Sequence, residues 1–469
     1  MIQKVALCGV GYSGPSRKAV STKLLDSEYE EQRTTCLSSF KGSNVTLAID
    51  GWKNVASEGY VNFCIGSSNQ SMFYKAVDVT GTRQTSEFLS DLLIDCVTEL
   101  KEEHDIVVVS ICTDSASNMV LAKSLVQGTY PNIFVYACCA HTVDLLLKDI
   151  AKLTWAKEIF EDANDVVTFV RNRSLLIAFV KEKSENNKGL KCPAKTRFMS
   201  QLIVFRRLLD QRSNLEQLFV SDIGKHVYSK CDKDGKVRFK KVKDLVLGSD
   251  FWDDLEYLVH IYEAPGITLR ISDGYRHHSL GFIYNSFLSV QTTWKESTLI
   301  DKNHKESLLA LLTERWAMAH TPLHSVCFML HPLFHNHTHF GEDAIIADFK
   351  TVVKTLFPNS KLGDFVKELD SYKKFNCAEA FENYEIKDDK DLLDYQDPLI
   401  FWNYFAEDVP NLKRLATIIM PLFSSSSICE TNFSHFDYIF GNKRLRLKSD
   451  RANKLIFLYS NSKVQTYNL

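Results

Sequence analysis

Ile106-Val107-Val108-Val109-Ser110-Ile111-Cys112-Thr113-Asp114 is the stretch on which the reading of this chain turns. A nearly unbroken β-branched and apolar run is the pattern of a central strand covered on both faces, and here an aspartate stands where the run ends. Thr46-Leu47-Ala48-Ile49-Asp50-Gly51-Trp52 repeats the arrangement upstream. α/β folds place their chemistry in the crevice beyond the strand ends, so Asp50 and Asp114 become candidate site residues. A third carboxylate, Glu430, lies far downstream in Ser424-Ser425-Ser426-Ser427-Ile428-Cys429-Glu430. Converging, the three would make a divalent-metal site for phosphoryl transfer.

Outward from these runs, Tyr60–Gly66 and Ser71–Val79 flank a polar turn and read as an antiparallel hairpin. Phe88, Leu92, Cys96 and Leu100 recur at helical spacing within Thr85–Glu102. A helix over Ala116–Gln127, a short strand over Ile133–Tyr136 and a helical stretch from Val143 complete the block. The order predicts an α/β fold with a mixed sheet and helices packed on it. From about residue 186 strand patterns vanish, and apolar residues at helical spacing dominate Phe198–Phe219, Phe251–Tyr262, Ser279–Lys295 and Ser307–Ala319. The expected organisation is a lead-in segment 1–44 with a helix over Ser21–Phe40, a core begun in 45–185, a helical insertion 186–410, and a C-terminal helical segment 411–469 broken at Pro421 and Gly441.

Composition narrows the function classes. At 45% hydrophobic and 24% charged, the chain has what a soluble globular protein needs to bury large cores. No apolar run reaches the roughly 18 residues of a membrane helix, so no membrane partner is expected. Twelve scattered cysteines without repeated CxxC pairs read as reduced thiols of the cytosol or nucleus. A formal charge of −2 leaves any nucleic-acid binding to local basic patches, of which there are two, Lys230–Lys243 and Lys443–Lys454. Each patch by itself reads first as a solvated face.

Other motifs are weaker. Gly9-Val10-Gly11-Tyr12-Ser13-Gly14 fits GxGxxG, but Pro15 follows at once and too little chain precedes it for a strand, so no nucleotide cofactor is expected. His331, His335, His337 and His339 lack cysteine or carboxylate partners at ligand spacing and read as a solvated loop. Cys138 and His141 stand at CxxH spacing after a strand and read as packing support under the sheet end. Local alternatives exist for each carboxylate: Asp50 could open an Asp-Gly turn, Asp114 could cap the following helix, and Ser427-x-x-Glu430 could be a capping box.

The order of these motifs resembles the hAT family of DNA transposases. Asp50-Gly51-Trp52 is similar to the first catalytic aspartate in its context, with Trp52 beside it, and Thr113-Asp114-Ser115-Ala116-Ser117-Asn118 to the second. Cys138-Cys139-Ala140-His141 is similar to the family's CxxH motif, Leu323-His324 through Leu330-His331-Pro332 to a motif within its insertion, and Ser425–Ser434 to the signature carrying the catalytic glutamate. The resemblance implies an RNase H-like five-stranded core split by an all-α insertion, with C-terminal helices returning to the core and serving in dimerisation. It implies Asp50, Asp114 and Glu430 as catalytic residues holding two Mg²⁺ or Mn²⁺ ions about 4 Å apart. It also implies DNA as partner, cleavage through a hairpin on the flanking DNA, a homodimer or higher homo-oligomer, and a nuclear location. Arg197, Phe198, Arg206 and Arg207 of the insertion, with Lys443, Arg444 and Arg446, are the candidate DNA-binding residues. Two positions depart from the family pattern: Thr431 stands where an arginine usually follows the glutamate, and Phe198 where a tryptophan is usual. No paired Cys and His ligands of a BED-type zinc finger stand upstream of Asp50. The competing expectation is a transposase-derived, non-catalytic nuclear protein that acts by dimerisation and binding.

Overall fold

The computed structural model describes residues 14–54, 57–67, 70–191, 199–273, 280–335, 337–375, 398–440 and 447–464. Arg197, Phe198, Lys443, Arg444, Arg446 and the glycines of the GxGxxG match before Gly14 lie outside the described residues. By internal contact the chain forms two units, Met1–Tyr136 with Lys350–Leu469, and Ala137–Phe349.

The first unit opens with helix α1 (Leu25–Ser39), followed by β1 (Asn44–Lys53), β2 (Gly59–Ser67), β3 (Gln70–Asp78), α2 (Ser86–His104), β4 (Val107–Thr113), α3 (Ser117–Thr129) and β5 (Phe134–Ala137). The strands form one sheet in the order β3-β2-β1-β4-β5. β1, β2 and β3 run antiparallel, and β4 pairs parallel to β1, which makes the mixed sheet of an RNase H-like core. Helix α2 begins where the Thr85 hydroxyl accepts a bond from the Phe88 amide, and it ends at Asp105 in the left-handed region. Its buried stripe is Leu89, Leu93, Cys96, Val97 and Leu100. Phe88 and Leu92, expected on that stripe, sit at its border and are only partly buried.

The second unit is all helical: α4 (Cys139–Ile150), α5 (Thr154–Arg171), α6 (Ser174–Lys183), α7 (Ser200–Asp210), α8 (Arg212–Val220), α9 (Asp222–Lys230), α10 (Lys233–Leu247), α11 (Asp250–Asp273), α12 (Leu280–Glu296), α13 (Lys302–Ala319) and α14 (Pro322–Met329). The stretch 199–219, where apolar residues recur at helical spacing, forms two helices that meet at Gln211, whose backbone leaves the helical region. This unit starts at Ala137, not 186, because α4 and α5 pack on α11, α13, α10 and α7. The histidine-rich segment is less solvated than expected. His331 is 1% exposed and His335 6%, with the His331 ring against Phe282 and Phe334. The His331 Nδ1 accepts the Leu333 amide, while its Nε2 has no hydrogen-bond partner among the described residues.

The chain then adds α15 (Asp343–Leu356), α16 (Leu362–Lys373), α17 (Pro398–Phe405), α18 (Pro410–Ile419), α19 (Ser427–Phe440) and α20 (Ser449–Val464). Pro421 does separate two helices, as its missing N–H requires. Helix α20 covers the β3 edge: Asn461 bonds both the amide and the carbonyl of Phe73, and Asn453 donates to the Ala76 carbonyl. The edge groups that would otherwise invite another strand are thereby satisfied. Among the described residues, no helix is long and apolar enough to cross a membrane, and the nine described cysteines are free thiols.

Candidate active site

Asp50 lies inside β1, with Gly51 paired to Val61, so it does not open an Asp-Gly turn. Parallel pairing sets Thr46 opposite Ser110 and Ala48 opposite Cys112. The Thr46 and Ser110 hydroxyls meet at 2.9 Å, which shows that these paired side chains share a face. Two residues further along each strand stand Asp50 and Asp114, the latter just beyond the end of β4. Neighbouring strands lie about 4.8 Å apart, so this register brings both aspartate backbones to one spot at the end of the two central strands. Asp114 does part of what a helix-capping aspartate does: its Oδ1 accepts the Ala116 amide at 3.2 Å, just ahead of α3. From α3, the Lys123 ammonium reaches back to the Asp114 carbonyl at 3.3 Å.

The segment leading to Glu430 and α19 is clamped to this face of the sheet. The Phe423 amide donates to the Thr46 hydroxyl at 2.9 Å, and the Phe423 carbonyl accepts the Tyr136 hydroxyl. Tyr136 also contacts Ser110 Oγ at 3.1 Å, so β1, β4 and β5 hold one buried polar network against the returning chain. Both main-chain groups of Phe423 are thus satisfied inside the core, where leaving them bare would cost about 1–3 kcal/mol each. The Phe423 ring occupies the space above Gly66, the β2 partner of Thr46.

Further along, Asn62, paired with Asp50 across β1 and β2, donates from Nδ2 to the Cys429 carbonyl at 3.1 Å. Asn432 Nδ2 contacts Cys64 Sγ at 3.1 Å. One turn on, Phe436 and Phe440 pack on Trp52 and Tyr60. Helix α19 buries Ile428, Cys429, Asn432, Phe436, Ile439 and Phe440, and Glu430 lies at the border of that stripe, half-buried like Asp50 and Asp114. The capping-box alternative does not fit the helix start. Ser427 is already its first residue, and the Cys429 amide bonds the Ser426 carbonyl, so the position three after the cap is Cys429.

The electrostatics agree with this placement. Burial, then the adjoining Cys64 thiol, pushes the Cys429 thiol well above its ordinary value, and the Asp50 charge acts in the same direction. A neutral thiol is a poor metal ligand, so the anionic donors at this end of the sheet are carboxylates. Among the described residues, only Glu99, Glu103 and His104 bring three ligand atoms mutually within 4.8 Å. That group lies among cations: Lys75 and the Tyr74 hydroxyl bond Glu99, and Arg33 is 3.7 Å from Glu99 and 3.4 Å from His104. It is an ion-pair network, and the carboxylates at the strand ends are not drawn as tight.

The remaining candidates fall in the helical unit. Cys138 is buried at the start of α4 and His141 is half-buried on its first turn. Arg206 pairs with Glu263 at 2.8 Å, and Arg207 is largely covered with Asp210 at 3.8 Å. In the C-terminal basic patch, Lys454 bonds Asp26 at 2.9 Å. Sequence reading missed Thr46, Asn62, Tyr136 and Phe423. For Thr46, Asn62 and Tyr136 the only local signal is a polar group inside an apolar strand, and Phe423 carries none. Asn62→Ala is expected to cost about 1–3 kcal/mol by stranding the Cys429 carbonyl. Denaturant unfolding measures this, and an unchanged midpoint would mean the carbonyl finds another donor.

The sheet order, the parallel β1–β4 pair and the far C-terminal carboxylate define an RNase H-like α/β protein carrying a helical domain between the two parts of its core. Residues 15–166 match a family described as a domain of unknown function (DUF659), and residues 368–462 match the hAT family C-terminal dimerisation region. No curated protein matches the chain. The chain is a hAT family transposase-like protein.

Proposed function

We propose that this transposase or transposase-derived protein cleaves DNA phosphodiesters and transfers strands through Asp50, Asp114 and Glu430, with Mg²⁺ or Mn²⁺ as cofactor. The observation that carries the reading is the register of β1 and β4, which sets Asp50 and Asp114 at one strand end, beneath a C-terminal segment anchored by Thr46, Tyr136 and Asn62. The donor set fits the metals: three half-buried carboxylates offer hard oxygen ligands, and the adjoining Cys429 thiol is held neutral. Two such ions, when bound, supply Lewis acidity for an attacking water or 3′-hydroxyl and for the leaving oxygen. Asp50 and Asp114, on adjoining strands, give the rigid side of the site. Glu430 comes from a separate helix, so its position depends on the clamp at Phe423 and Asn62. The match over 368–462 supports action as a homodimer or higher oligomer, and DNA as substrate supports a nuclear location.

Purified chain given a pre-nicked DNA end and Mg²⁺ or Mn²⁺ tests this. Metal-dependent cleavage is expected, and Asp114→Asn and Glu430→Gln should each lower it at least about 100-fold, the worth of a few kcal/mol of transition-state charge stabilisation. No cleavage at any protein concentration, or equal rates in all three proteins, would overturn the reading. A non-catalytic, dimerising DNA-binding role would then stand. Thr431 favours that role in one respect: where the family pattern has a cation, its hydroxyl turns back to the Ser427 carbonyl of its own helix.

A further inference from the structure

The basic stretch Lys230–Lys243 resolves into two different sets of cations on α10. Phe239, Val242 and Val246 form its buried side. On one flank Arg238 and Lys241 face α5: Lys241 bonds Asp162 at 3.0 Å and Asp165 at 2.8 Å, and Arg238 bonds Asp165 at 3.2 Å. The Lys241 hydrogen bond in particular holds the Asp165 carboxyl below its ordinary range. These two cations are neutralised within the fold.

Lys233, Lys236, Lys240 and Lys243 form the second set. At 3.6 residues per turn they fall within an arc of about 80° and span about 15 Å along the axis; Lys233 and Lys240 are exposed, while Lys236 and Lys243 are half-buried at the border of the buried stripe. No ion pair joins any of the four to an acid among the described residues. Asp232 stands one turn before Lys236, but its carboxylate accepts the Gly235 amide as the helix cap. Asp244, one turn after Lys240, makes no ion pair with it. The Lys236 ammonium lies over the Tyr228 ring at 5.7 Å, which fixes its stem. Beside the stripe Val237 is 65% exposed. A helix face that is only solvated usually alternates charge sign at i+3 and i+4, because such pairs stabilise it and like charges repel. Here four like charges are kept in line on a rigid helix, in a chain whose formal charge is −2.

We propose that this face of α10 binds the sugar-phosphate backbone of duplex DNA. The inference rests on the reading of DNA as substrate and names a second contact surface, on the helical unit. Duplex DNA carries one charge per about 1.7 Å of axis, and each phosphate neutralised by lysine contributes about −0.9 to the slope of log affinity against log salt. Four aligned ammonium groups on a preformed helix therefore add about 3.6 units of slope. They contribute affinity without sequence preference, since backbone contacts position the protein but do not read bases.

The test is fluorescence anisotropy of a labelled duplex with the full chain over a range of salt concentrations. K233Q/K236Q/K240Q/K243Q is compared with wild type and with R238Q/K241Q. The quadruple variant should melt as wild type does, bind at least about tenfold more weakly near 0.1 M salt, and lose about 3.6 units of slope. R238Q/K241Q should lower the melting temperature and leave the slope unchanged. An unchanged slope in a folded quadruple variant, or a larger change in R238Q/K241Q, overturns the proposal. Glu430→Gln separates this from the catalytic reading. Binding that depends on the four lysines without cleavage by wild type supports this surface and defeats catalysis. Cleavage with unaltered binding in the quadruple variant defeats this surface alone.

Discussion

Gly66→Ala is expected to destabilise the sheet unit by about 3 kcal/mol, the upper range for overpacking a core. A methyl group at Gly66 would overlap the Phe423 ring, which lies directly on this position. The ring cannot swing aside freely, since Phe423 is 2% exposed and its amide and carbonyl are tied to Thr46 and Tyr136. Relief must come from lifting the segment 423–427 off the sheet, and Glu430 follows it. The expected results are a melting temperature lower by about 6–10 °C and a loss of metal-dependent cleavage larger than the loss of folded protein. Phe423→Leu in the same chain makes room, so the double variant should recover part of the stability. If Gly66→Ala with Phe423→Leu is worse than either change alone, steric overlap is not the cause.

A second large effect is expected on acidification. Burial lowers His324 and His331 to about 3, far below the ordinary value of 6.5, and a neighbouring His320 adds to the shift at His324. Both rings are fully enclosed, and among the described residues His331 Nε2 has no hydrogen-bond partner that could stabilise a charge. The sign follows from where protons bind. Between about pH 6.5 and 3 the unfolded chain takes up protons that the folded chain refuses, so stability is full above 6.5 and falls as pH drops through this window. At pH 5 the loss is about 2 kcal/mol for each ring, or roughly 4 kcal/mol for the helical unit. His324 accepts the Thr321 amide in a capping box, and His331 accepts the Leu333 amide at a short helix start. Glutamine and asparagine respectively can make those bonds without titrating. H324Q/H331N should therefore flatten the pH 5–7 dependence of the melting temperature. A wild-type unit equally stable at pH 5 and 7 would refute the assignment.

The histidines also show why part of this molecule was not legible in sequence. His331 looks like a member of a polar loop, because nothing within four residues says that Phe282 will cover it. Burial there comes from a helix some fifty residues away in the chain. The strands were legible for the opposite reason. Leu47 to Ile49 and Val108 to Cys112 carry their own evidence, since an apolar run of that length has nowhere to go but a core. Helix α2 was legible in extent, but its buried stripe was not, since a helix with apolar residues at 88, 89, 92 and 93 can face the sheet by either pair. The same limit applied to the basic stretch on α10. Composition marked it as one patch, while the packing of α5 consumed Arg238 and Lys241 and left Lys233, Lys236, Lys240 and Lys243 without an ion pair among the described residues.

By itself, the sequence determined the strand runs, the two aspartates at their ends, the helical character of the middle of the chain and the order of motifs that marks a transposase-like protein. Those are local or sequential properties, written in apolar periodicity and residue type. Only the tertiary structure decided that Asp50 and Asp114 share a register, because strand pairing is a relation between segments that neither segment encodes alone. It likewise decided that the segment leading to Glu430 is clamped to the same sheet face. That segment is held by the Phe423 amide donating to the Thr46 hydroxyl, and by Tyr136 and Asn62 donating to the Phe423 and Cys429 carbonyls, partners several hundred positions away in the chain. Distance along the chain hides such partners, and packing alone brings them together.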